Sequence, residues 1–347
     1  MPNDTHENIR RLLADAAADL PVLAPAPERT VRRARRHAAA TFSVLAIAVG
    51  LAVGGLVTAA GPFTRSMPAH QPRTRGGAWV VDTVTGSETR IGHLPRGAFW
   101  FDVSQDASSV AFSAQSHGRS QIYLMAPDGS DVHVVTNDPY GADEPALSPD
   151  GSLVAYQGFG HEDHRNVFVV EPDGRVRQLT HERQDVAALT WSPDGNSILY
   201  SVSVPNEPAP FGFNGENMRL KQVNVATSQV TALVGGRRTA ADFGTWSSDG
   251  RRIAYMTGEW LSGSYGFESA QIWLMDANGS HPHQLIALDG HALELAWAPH
   301  GNALAFSLVE GDGYGTYVID VSTGEVRRVT SGGFPVWLDA HTLIVER

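Results

Sequence analysis

From residue 78 onwards, apolar residues recur in short runs that are interrupted by glycine, aspartate and proline. Short apolar runs bounded by turn residues are typical of β-strands, and many of them in succession indicate an all-β fold. Five of the runs resemble one another: VAFSA (110–114), LVAYQG (153–158), ILYSV (198–202), IAYMT (253–257) and LAFSL (304–308). The pattern therefore predicts a series of repeated strands.

Each of these runs follows a turn motif that recurs along the chain. Ser-Pro-Asp-Gly occurs at Ser148–Gly151 and Ser192–Gly195, and altered copies stand at Ser104–Ala107, Ser247–Gly250 and Ala298–Gly301. Successive copies are 44, 44, 55 and 51 residues apart, and one blade of a β-propeller is about 40–45 residues long. Proline presets φ, aspartate bonds its own backbone and glycine accepts a positive φ. We therefore interpret the aspartate as a turn former and not as an acid catalyst.

Full repeats account for residues 101–332 and leave a half-repeat at each end. Ala78–Leu94 matches only the third and fourth strands of a repeat, and Pro335–Arg347 matches only the first and second. Together the two halves make one more blade. The sequence thus predicts a six-bladed β-propeller, closed by pairing the N- and C-terminal strands in one blade, which removes exposed sheet edges.

The repeats resemble the WD-like repeat of TolB-type propellers, and the resemblance covers residues 78–347. The consensus of an apolar residue, Trp-Ser-Pro-Asp-Gly, two apolar strands and a second tight turn is matched best at Ser192–Gly195 and Gln271–Gly279. The resemblance implies a six-bladed propeller. It implies little about a ligand, because such propellers serve as interaction modules in periplasmic proteins and as the non-catalytic half of prolyl-oligopeptidase-like enzymes.

An uncharged segment precedes the repeats. Residues 38–63 carry no charged side chain, and the 20 residues of Thr41–Ala60 would form a helix about 30 Å long, one hydrocarbon thickness. The arginine-rich run at 31–37 places the N-terminus in the cytoplasm. We predict a single transmembrane helix at 38–62, a linker at 63–77 and an extracytoplasmic propeller at 78–347. The alternative is a cleaved signal peptide that ends near Ala60.

The predicted cytoplasmic leader, residues 1–37, contains one candidate helix. Asp4 and Glu7 can form a capping box, and apolar residues follow at helical spacing as far as Leu20. Residues 5–20 are therefore either a docking helix for a cytosolic partner or part of a plain signal-anchor leader. The layout also looks like actinobacterial envelope proteins, some of which are encoded beside sigma factors, although the leader lacks the His/Cys zinc motif of anti-sigma domains.

Composition and missing motifs exclude several classes of function. The chain has no cysteine, so neither a disulfide nor a thiolate metal site can form. Its formal net charge of −11 argues against a nucleic-acid surface. The sequence has no Gly-x-Ser-x-Gly elbow, phosphate loop or dinucleotide fingerprint. We therefore expect neither a cofactor nor an enzymatic activity.

Candidate binding residues lie in loops on the propeller face opposite the Pro-Asp-Gly turns, where a scaffold carries function. They are Tyr140, Asp143, Glu144, His161, His164, Arg183, Asp185, Phe211, Phe213, Arg237, Asp242, Trp260, Tyr265, His291 and Glu294. The loop aromatics either contact a protein, peptide or glycan or fold down to cap the blades. Glu144 and Glu294 both stand three residues before the Trp-equivalent position, which predicts matching places near the channel mouth. Carboxylates there either hold a cation or a basic peptide end or form a solvated rim.

His161 and His164 have the spacing of a zinc or manganese ligand pair. No set of histidines recurs in register with the repeats, however, and we predict no metal. The preferred function is a non-enzymatic binding or scaffolding module in envelope signalling. Two alternatives stay open: a propeller lyase or hydrolase that uses the histidines and carboxylates of the channel mouth, and a membrane regulator of a sigma factor that acts through residues 1–37.

Overall fold

The computed structural model describes residues 77–159, 164–204, 217–234, 240–260, 267–311 and 313–347. The regular elements of these residues are β-strands, as the sequence predicts. Within the same ranges, no helix is long and apolar enough to cross a bilayer. The predicted helix at 5–20, the predicted span at 38–62 and residues 63–76 of the predicted linker lie outside the described residues.

The described strands are numbered β1–β24 in chain order. The first six are β1 (Ala78–Asp82), β2 (Glu88–Arg90), β3 (Phe99–Val103), β4 (Val110–Ser116), β5 (Arg119–Met125) and β6 (His133–Val134). The next eight are β7 (Ala142–Leu147), β8 (Val154–Phe159), β9 (Arg165–Val170), β10 (Val176–Gln178), β11 (Val186–Trp191), β12 (Ser197–Val204), β13 (Asn217–Asn224) and β14 (Val230–Val234). The last ten are β15 (Ala240–Trp246), β16 (Arg252–Trp260), β17 (Phe267–Asp276), β18 (His283–Ala287), β19 (Ala292–Trp297), β20 (Ala303–Glu310), β21 (Gly313–Asp320), β22 (Val326–Ser331), β23 (Gly333–Trp337) and β24 (Thr342–Glu346).

Hydrogen bonding joins the strands in antiparallel groups of four. Strands β3–β6, β7–β10 and β11–β14 each form one sheet in chain order. Strands β15–β22 form a longer sheet made of two such groups, which are linked by the single pair Phe267 and Ala292. The first strand of each group ends at the turn motif, so we call β3, β7, β11, β15, β19 and β23 the inner strands. They carry the residues of the site described below.

The remaining sheet contains both ends of the described chain, in the order β2-β1-β24-β23. Strand β1 pairs with β24 in antiparallel register from Ala78 opposite Glu346 to Asp82 opposite Thr342. The Arg347 side chain donates from Nη1 to Glu88 Oε2 at 2.8 Å. Its guanidinium also lies 4.9 Å from the ring centroid of Trp79. Backbone pairing and side-chain contacts thus both connect the first and last described segments.

The Ser-Pro-Asp-Gly motif forms the turn that the sequence predicts. Ser148 Oγ donates to Asp150 Oδ1 at 2.7 Å and accepts the N–H of Leu153 at 2.8 Å. Gly151 adopts φ 67°, a conformation that side chains with a Cβ rarely adopt. The Ser148 hydroxyl is the first cause that lowers the pKa of Asp150. The Asp150 carboxylate therefore organises the turn, which confirms its assignment as a turn former.

Apolar side chains pack between neighbouring sheets and form the core. Trp191, at the end of β11, donates from Nε1 to the carbonyl of Ala146 in the preceding sheet at 2.9 Å. Trp337 makes the same bond to Ala296 at 3.0 Å. Because each indole buries a large apolar area and also donates a hydrogen bond, it fixes the position of one sheet against the next. The inner strands are thereby held around a common centre.

Candidate functional site

Every inner strand contains a bulge at the same position, three residues before its last residue. The six bulge residues, called the inner bulges, are Trp100, Glu144, Ala188, Phe243, Glu294 and Phe334, and their φ angles lie between 47° and 55°. At each of them the pairing with the second strand of the group shifts register. A left-handed conformation costs a non-glycine residue about 1–2 kcal/mol. Bulges of this kind bend a strand and redirect its side chains.

Side chains from the preceding sheet accept hydrogen bonds from several of these bulges. The N–H of Trp100 donates to Glu346 Oε1 at 2.7 Å, and the N–H of Ala188 donates to Glu144 Oε2 at 2.9 Å. The N–H of Phe334 donates to Ser307 Oγ at 2.9 Å. A backbone N–H that is buried without a partner is costly. These contacts therefore stabilise the strained bulges and connect successive sheets.

The inner strands surround a central cavity of about 210 Å³. Its lining extends from the inner bulges to the Pro-Asp-Gly turns and includes residues of β3, β7, β11, β15, β19 and β23. The charged side chains among the described lining residues are Asp102, Glu144 and Glu294, and none of that lining is lysine, arginine or histidine. The cavity is therefore acidic and has room for several water molecules.

Burial changes the protonation of these acids. Desolvation raises the pKa of Glu144 to about 7, although the nearby Arg165 charge opposes the shift and the Asp143 and Asp242 charges add to it. Desolvation also raises the pKa of Asp102 to about 6, against the hydrogen bond that its Oδ2 accepts from the N–H of Leu147 at 2.7 Å. Glu144 and Asp102 therefore change between their protonated and ionised forms near neutral pH.

Two further carboxyl groups lie next to the inner bulges, at a level of the fold that we call the bulge layer. Desolvation raises the pKa of Asp242 to about 6; the side chain is 1% exposed and accepts the N–H of Phe243 at 2.7 Å. Desolvation raises the pKa of Glu346 to about 8, against the hydrogen bonds from the backbone of Trp100 and Phe101. The bulge layer therefore concentrates acids in a region of low dielectric.

Several predicted site residues meet around Arg165, the first residue of β9. Its Nη2 lies 3.7 Å from Asp143 Oδ2, and its backbone N–H donates to Asp185 Oδ1 at 2.8 Å. His164 Nδ1 is 3.9 Å from the same Asp185 oxygen. The guanidinium also lies over the Phe159 ring, 5.2 Å from its centroid. We call these five residues the Arg165 cluster; it lies on the face where the inner strands begin, the mouth face.

Other candidates occupy separate positions. Tyr140 is 70% exposed on the loop before β7, and Arg183 lies on the loop before β11. His291 precedes β19 and has a buried Nε2 that finds no partner in the described part of the chain. Glu294 lines the cavity. Five candidates lie outside the described residues: His161, Phe211, Phe213, Arg237 and Tyr265.

The expected loop placement is wrong for five candidates. Asp143 and Glu144 belong to β7, Asp242 to β15 and Glu294 to β19, and Trp260 is the last residue of β16. The inner bulges explain the first four, because a bulge directs polar side chains of a strand towards the neighbouring sheet and the cavity. For Trp260, backbone pairing with Phe267 extends the strand beyond its apolar run.

Sequence patterns do not identify Asp102, Arg165 or Glu346 as site residues. Alignment of the second strands offers one signal for Glu346. It directly follows three apolar residues, the same position that Ser307 and Gln157 occupy in β20 and β8. Arg165 carries no such signal. Within the described ranges, no three His, Asp or Glu side chains form a group that could hold a metal ion.

Comparisons with known proteins agree with a β-propeller built from repeats. A sequence profile of the family described as Lipoprotein LpqB beta-propeller domain matches residues 124–262. The chain is 28% identical over 144 residues to the uncharacterized protein Atu1656 of Agrobacterium fabrum. This match covers 37% of this chain and 48% of that protein. It is 25% identical over 122 residues to the uncharacterized peptidase YuxL of Bacillus subtilis, covering 35% of this chain and 18% of YuxL. The Tol-Pal system protein TolB of Xylella fastidiosa is 32% identical over 80 residues, which are 23% of this chain and 18% of TolB. The chain thus spans less than half the length of each of these relatives.

Solved structures share the fold over most of this chain. A protein assigned as TolB from Agrobacterium tumefaciens has a TM-score of 0.63 at 17% identity and covers 78% of this chain and 97% of its own. TolB from Acinetobacter baumannii has a TM-score of 0.56 at 16% identity and covers 80% and 61%. At such identities the likeness concerns the fold alone. The described chain has an all-β propeller fold similar to that of TolB.

Proposed function

We propose that the chain is a non-enzymatic binding module built as a closed six-bladed propeller. The groups of four strands support six blades, and the sheet shared by β1, β2, β23 and β24 supports a ring that is closed where its ends meet. A closed ring leaves few unpaired sheet edges and provides a rigid base for binding loops. One relative, the Tol-Pal system protein TolB, is by its name part of a larger system.

The observation that carries this proposal is the convergence of the inner strands on one cavity with a polar mouth. The Arg165 cluster is held by protein contacts of Asp143 and Asp185 with Arg165, so its charged groups are pre-positioned before a ligand arrives. Tyr140 adds an aromatic side chain that is 70% exposed on the same face. Pre-organised polar groups beside exposed aromatics are typical of binding surfaces. The ligand is a protein, peptide or glycan at the mouth face.

A pair of matched variants tests the use of this face. Tyr140 and Val84 are equally exposed, at 70% and 71%, and Val84 lies in the turn between β1 and β2. Full-length protein is cross-linked in native membranes and its partners are compared. We expect Tyr140→Ser to reduce recovery of a specific partner and Val84→Ser to leave it unchanged. If both variants recover the same partners in equal amounts, the mouth face is not the binding surface.

The second candidate is a propeller lyase or hydrolase, and Glu144 is the observation that favours it. Burial raises the pKa of this carboxyl to about 7, the range that suits a general acid or base, and the Arg165 charge is near. The purified full chain and its Glu144→Gln variant are assayed on two substrates. Oligogalacturonate is chosen because a solved structure of similar fold is named an oligogalacturonate lyase, and peptides are chosen because the relative YuxL is named a peptidase. Turnover by the wild type that is lost in Glu144→Gln would show that the chain is an enzyme and would contradict the non-enzymatic binding module.

We also propose that residues 38–62 anchor the chain in the cell membrane, with the propeller outside and residues 5–20 available to a cytosolic partner such as a sigma factor. The uncharged run and its arginine-rich flank support this topology. Because the chain lacks cysteine, Thr5→Cys and Val84→Cys can be labelled singly with a membrane-impermeant maleimide. In intact cells we expect labelling of the second variant only. Labelling in the reverse order contradicts the topology, and a deletion of residues 1–37 that leaves cytosolic partners unchanged contradicts the docking role.

A further inference from the structure

At two positions of the repeat, a side-chain oxygen accepts a backbone N–H of the next sheet. The first position is the residue before the last one of an inner strand. Asp102 Oδ2 accepts the N–H of Leu147 at 2.7 Å, and Thr245 Oγ1 accepts the N–H of Trp297 at 3.3 Å. Leu147 and Trp297 are the last residues of their own inner strands. The two bonds are therefore equivalent, but one acceptor is a carboxyl group and the other is a hydroxyl group.

The second position lies on the second strand of a group and shows the same alternation. Glu346 Oε1 accepts the N–H of the Trp100 bulge at 2.7 Å, and Ser307 Oγ accepts the N–H of the Phe334 bulge at 2.9 Å. Both acceptors directly follow three apolar residues, so they are equivalent in register. The fold thus accommodates either a carboxyl group or a hydroxyl group at each position.

The carboxyl acceptors connect consecutive sheets. Glu346 joins the sheet of β1, β2, β23 and β24 to that of β3–β6, and Asp102 joins β3–β6 to β7–β10. Glu144 Oε2 accepts the N–H of the β11 bulge at 2.9 Å and so joins β7–β10 to β11–β14. We call these three contacts the acid seam. The contacts of Thr245, from β15 to β19, and of Ser307, from β20 to β23, are called the hydroxyl seam.

We propose that the acid seam is a pH-sensitive device, in which loss of protons from Glu346, Glu144 and Asp102 opens the contacts between these four sheets while the hydroxyl seam stays closed. The inference goes beyond the proposed binding function and requires no ligand. Arg165 lies on the sheet of β7–β10 and Tyr140 lies on the loop before it. Because this sheet has a contact of the acid seam on both sides, opening extends to the mouth face.

Burial makes the ionised form of Glu144 unfavourable in the closed seam. It raises the pKa of Glu144 to about 7; the charge of Arg165 on β9 opposes the shift, and the charges of Asp143 on β7 and Asp242 on β15 add to it. Glu294 on β19 lines the same cavity. Ionisation of Glu144 therefore adds a negative charge to a wall that is already acidic.

The other two carboxyl groups of the acid seam face backbone N–H groups. Burial raises the pKa of Asp102 to about 6 and the pKa of Glu346 to about 8. Arg347, the residue after Glu346, donates to Glu88. The N–H groups whose hydrogen bonds oppose the two shifts are those of Leu147 and Val103 at Asp102, and those of Trp100 and Phe101 at Glu346.

The sign of the effect follows from these shifts. All three pKa values in the fold lie above the ordinary values of 3.8 for aspartate and 4.5 for glutamate. The neutral carboxyl groups therefore stabilise the closed seam fully below about pH 4. This stabilisation is lost as the pH rises through about 6 for Asp102, about 7 for Glu144 and about 8 for Glu346.

The size of the effect follows from the difference in pKa between the closed and the opened contact. With an ordinary pKa in the opened contact, the opened population rises about tenfold per pH unit between the two pKa values. From about pH 5 to about pH 8 the rise is about tenfold for Asp102, about seventyfold for Glu144 and more than about a hundredfold for Glu346. Serine and threonine hydroxyls do not titrate in this range, so the hydroxyl seam should change less than about twofold.

The test is amide hydrogen–deuterium exchange of the full chain in detergent, read at single residues between about pH 5 and about pH 8. Each rate is divided by the intrinsic exchange rate at the same pH, which gives the opened population. The N–H groups of Trp100, Leu147 and Ala188 report on the acid seam, and those of Trp297 and Phe334 report on the hydroxyl seam. We expect the first three to show the rises given above and the last two to show none.

A first variant removes one titrating group. Glu346→Gln keeps an oxygen that accepts the Trp100 N–H but cannot ionise. We expect it to abolish the rise at Trp100 and to leave the rise at Leu147, which belongs to Asp102, as in wild type. Glu325→Gln, the same change at an exposed residue, should alter neither. Thermal melting at about pH 5 checks that both variants fold.

A second variant transfers the device to the hydroxyl seam. Ser307→Glu places a carboxyl group at the position equivalent to Glu346, so exchange at Phe334 should become pH-dependent. Ser307→Gln, which has the same size and cannot ionise, is its control. If these variants do not fold, Thr245→Asp and Thr245→Asn make the same comparison at the N–H of Trp297.

Three results would overturn the inference. An equal rise at the N–H groups of both seams would show that the whole fold loosens with pH. Opening of the acid seam that decreases as the pH rises would show that the ionised carboxylates strengthen these bonds. A full rise at Trp100 in a folded Glu346→Gln variant would assign the pH dependence to another group.

Discussion

Glu346 provides a sharp test of how the sheets are held together. Its side chain is 7% exposed, and its Oε1 accepts the N–H of the Trp100 bulge in the neighbouring sheet at 2.7 Å. Burial raises the pKa of Glu346 from 4.5 to about 8, and hydrogen bonds from the backbone of Trp100 and Phe101 oppose this shift only in part. The fold therefore favours the neutral acid, and ionisation of Glu346 should weaken it.

The magnitude follows from the pKa shift. One pKa unit corresponds to about 1.4 kcal/mol, so a rise from 4.5 to about 8 makes the ionised form about 5 kcal/mol worse in the fold than in the unfolded chain. Because the folded pKa is the higher one, this contribution to stability is fully present below pH 4.5. It is lost progressively as the pH rises through about 8. Between about pH 7 and about pH 9 the loss amounts to about 1.4 kcal/mol.

Substitution by glutamine isolates this contribution. The amide side chain of the Glu346→Gln variant keeps an oxygen that accepts the Trp100 N–H but cannot ionise. We expect urea unfolding of wild type to show about 1.4 kcal/mol more loss of the free energy of unfolding between about pH 7 and about pH 9 than this variant shows. Glu325→Gln, at an exposed residue, should show the wild-type dependence. The other titrating groups of the Glu346→Gln variant are those of wild type, so the difference between these two proteins belongs to residue 346.

Two results would refute the reasoning. If wild type and Glu346→Gln lose the same stability over this pH range, the carboxyl is solvated or already ionised in the fold. If Glu346→Gln is the less stable protein at the alkaline end of the range, the negative charge itself holds the Trp100 bulge, and the carboxylate is the favoured form. Either outcome would also contradict the account of the bulge layer as a place of low dielectric.

Three further predictions concern the core, the mouth and the turns. Trp191→Phe should cost about 1–2 kcal/mol more in urea unfolding than Trp246→Phe, because only the first removes an Nε1 hydrogen bond to the neighbouring sheet; equal losses would show that packing alone sets the cost. Arg165→Met should raise the pKa of Glu144 further above 7, since it removes a nearby charge that opposes the shift; carbon-13 NMR titration of the Glu carboxyls checks this, and an unchanged value would contradict it. Ser148→Ala should cost about 1 kcal/mol or more in thermal or urea unfolding, because the Oγ of Ser148 serves two turn bonds, whereas Ser152→Ala at the exposed end of the turn should cost less; the reverse order would be inconsistent with the turn geometry.

The sequence predicts the strands well because the information is local. The run after each Pro-Asp-Gly turn is a strand in the structure, as in β4, β8 and β12, and the turn itself is closed by residues within five positions of one another, such as Ser148 and Leu153. Apolar alternation and turn chemistry act over the same short distance. Nothing from the rest of the chain is needed to specify them.

The site is predicted only where register carries the information. The distance of Glu144 and Glu294 from the end of their strands predicts a place near the channel, and both line the cavity. Register gives the place of Glu346 on its strand but not its contact, since its partner Trp100 is 246 residues away. Arg165 gathers Asp143 and Asp185 from different strands and loops. Such contacts depend on how the sheets are arranged around the cavity. A local sequence pattern carries no information about that arrangement.

The division between repeated and variable residues shows which positions around the cavity can differ. The turns repeat because every group of strands needs the same connection, so their sequence is nearly fixed. The inner bulges repeat in geometry, with φ between 47° and 55° in all six, but their residues are tryptophan, glutamate, alanine and phenylalanine. Strain at several bulges is offset by a hydrogen bond from the backbone N–H to a neighbouring side chain, as from Ala188 to Glu144, and this contact does not depend on the identity of the bulge residue. The fold thus tolerates different side chains at six equivalent points around the cavity, and the carboxyls at two of them give the cavity a charge that the repeat does not require.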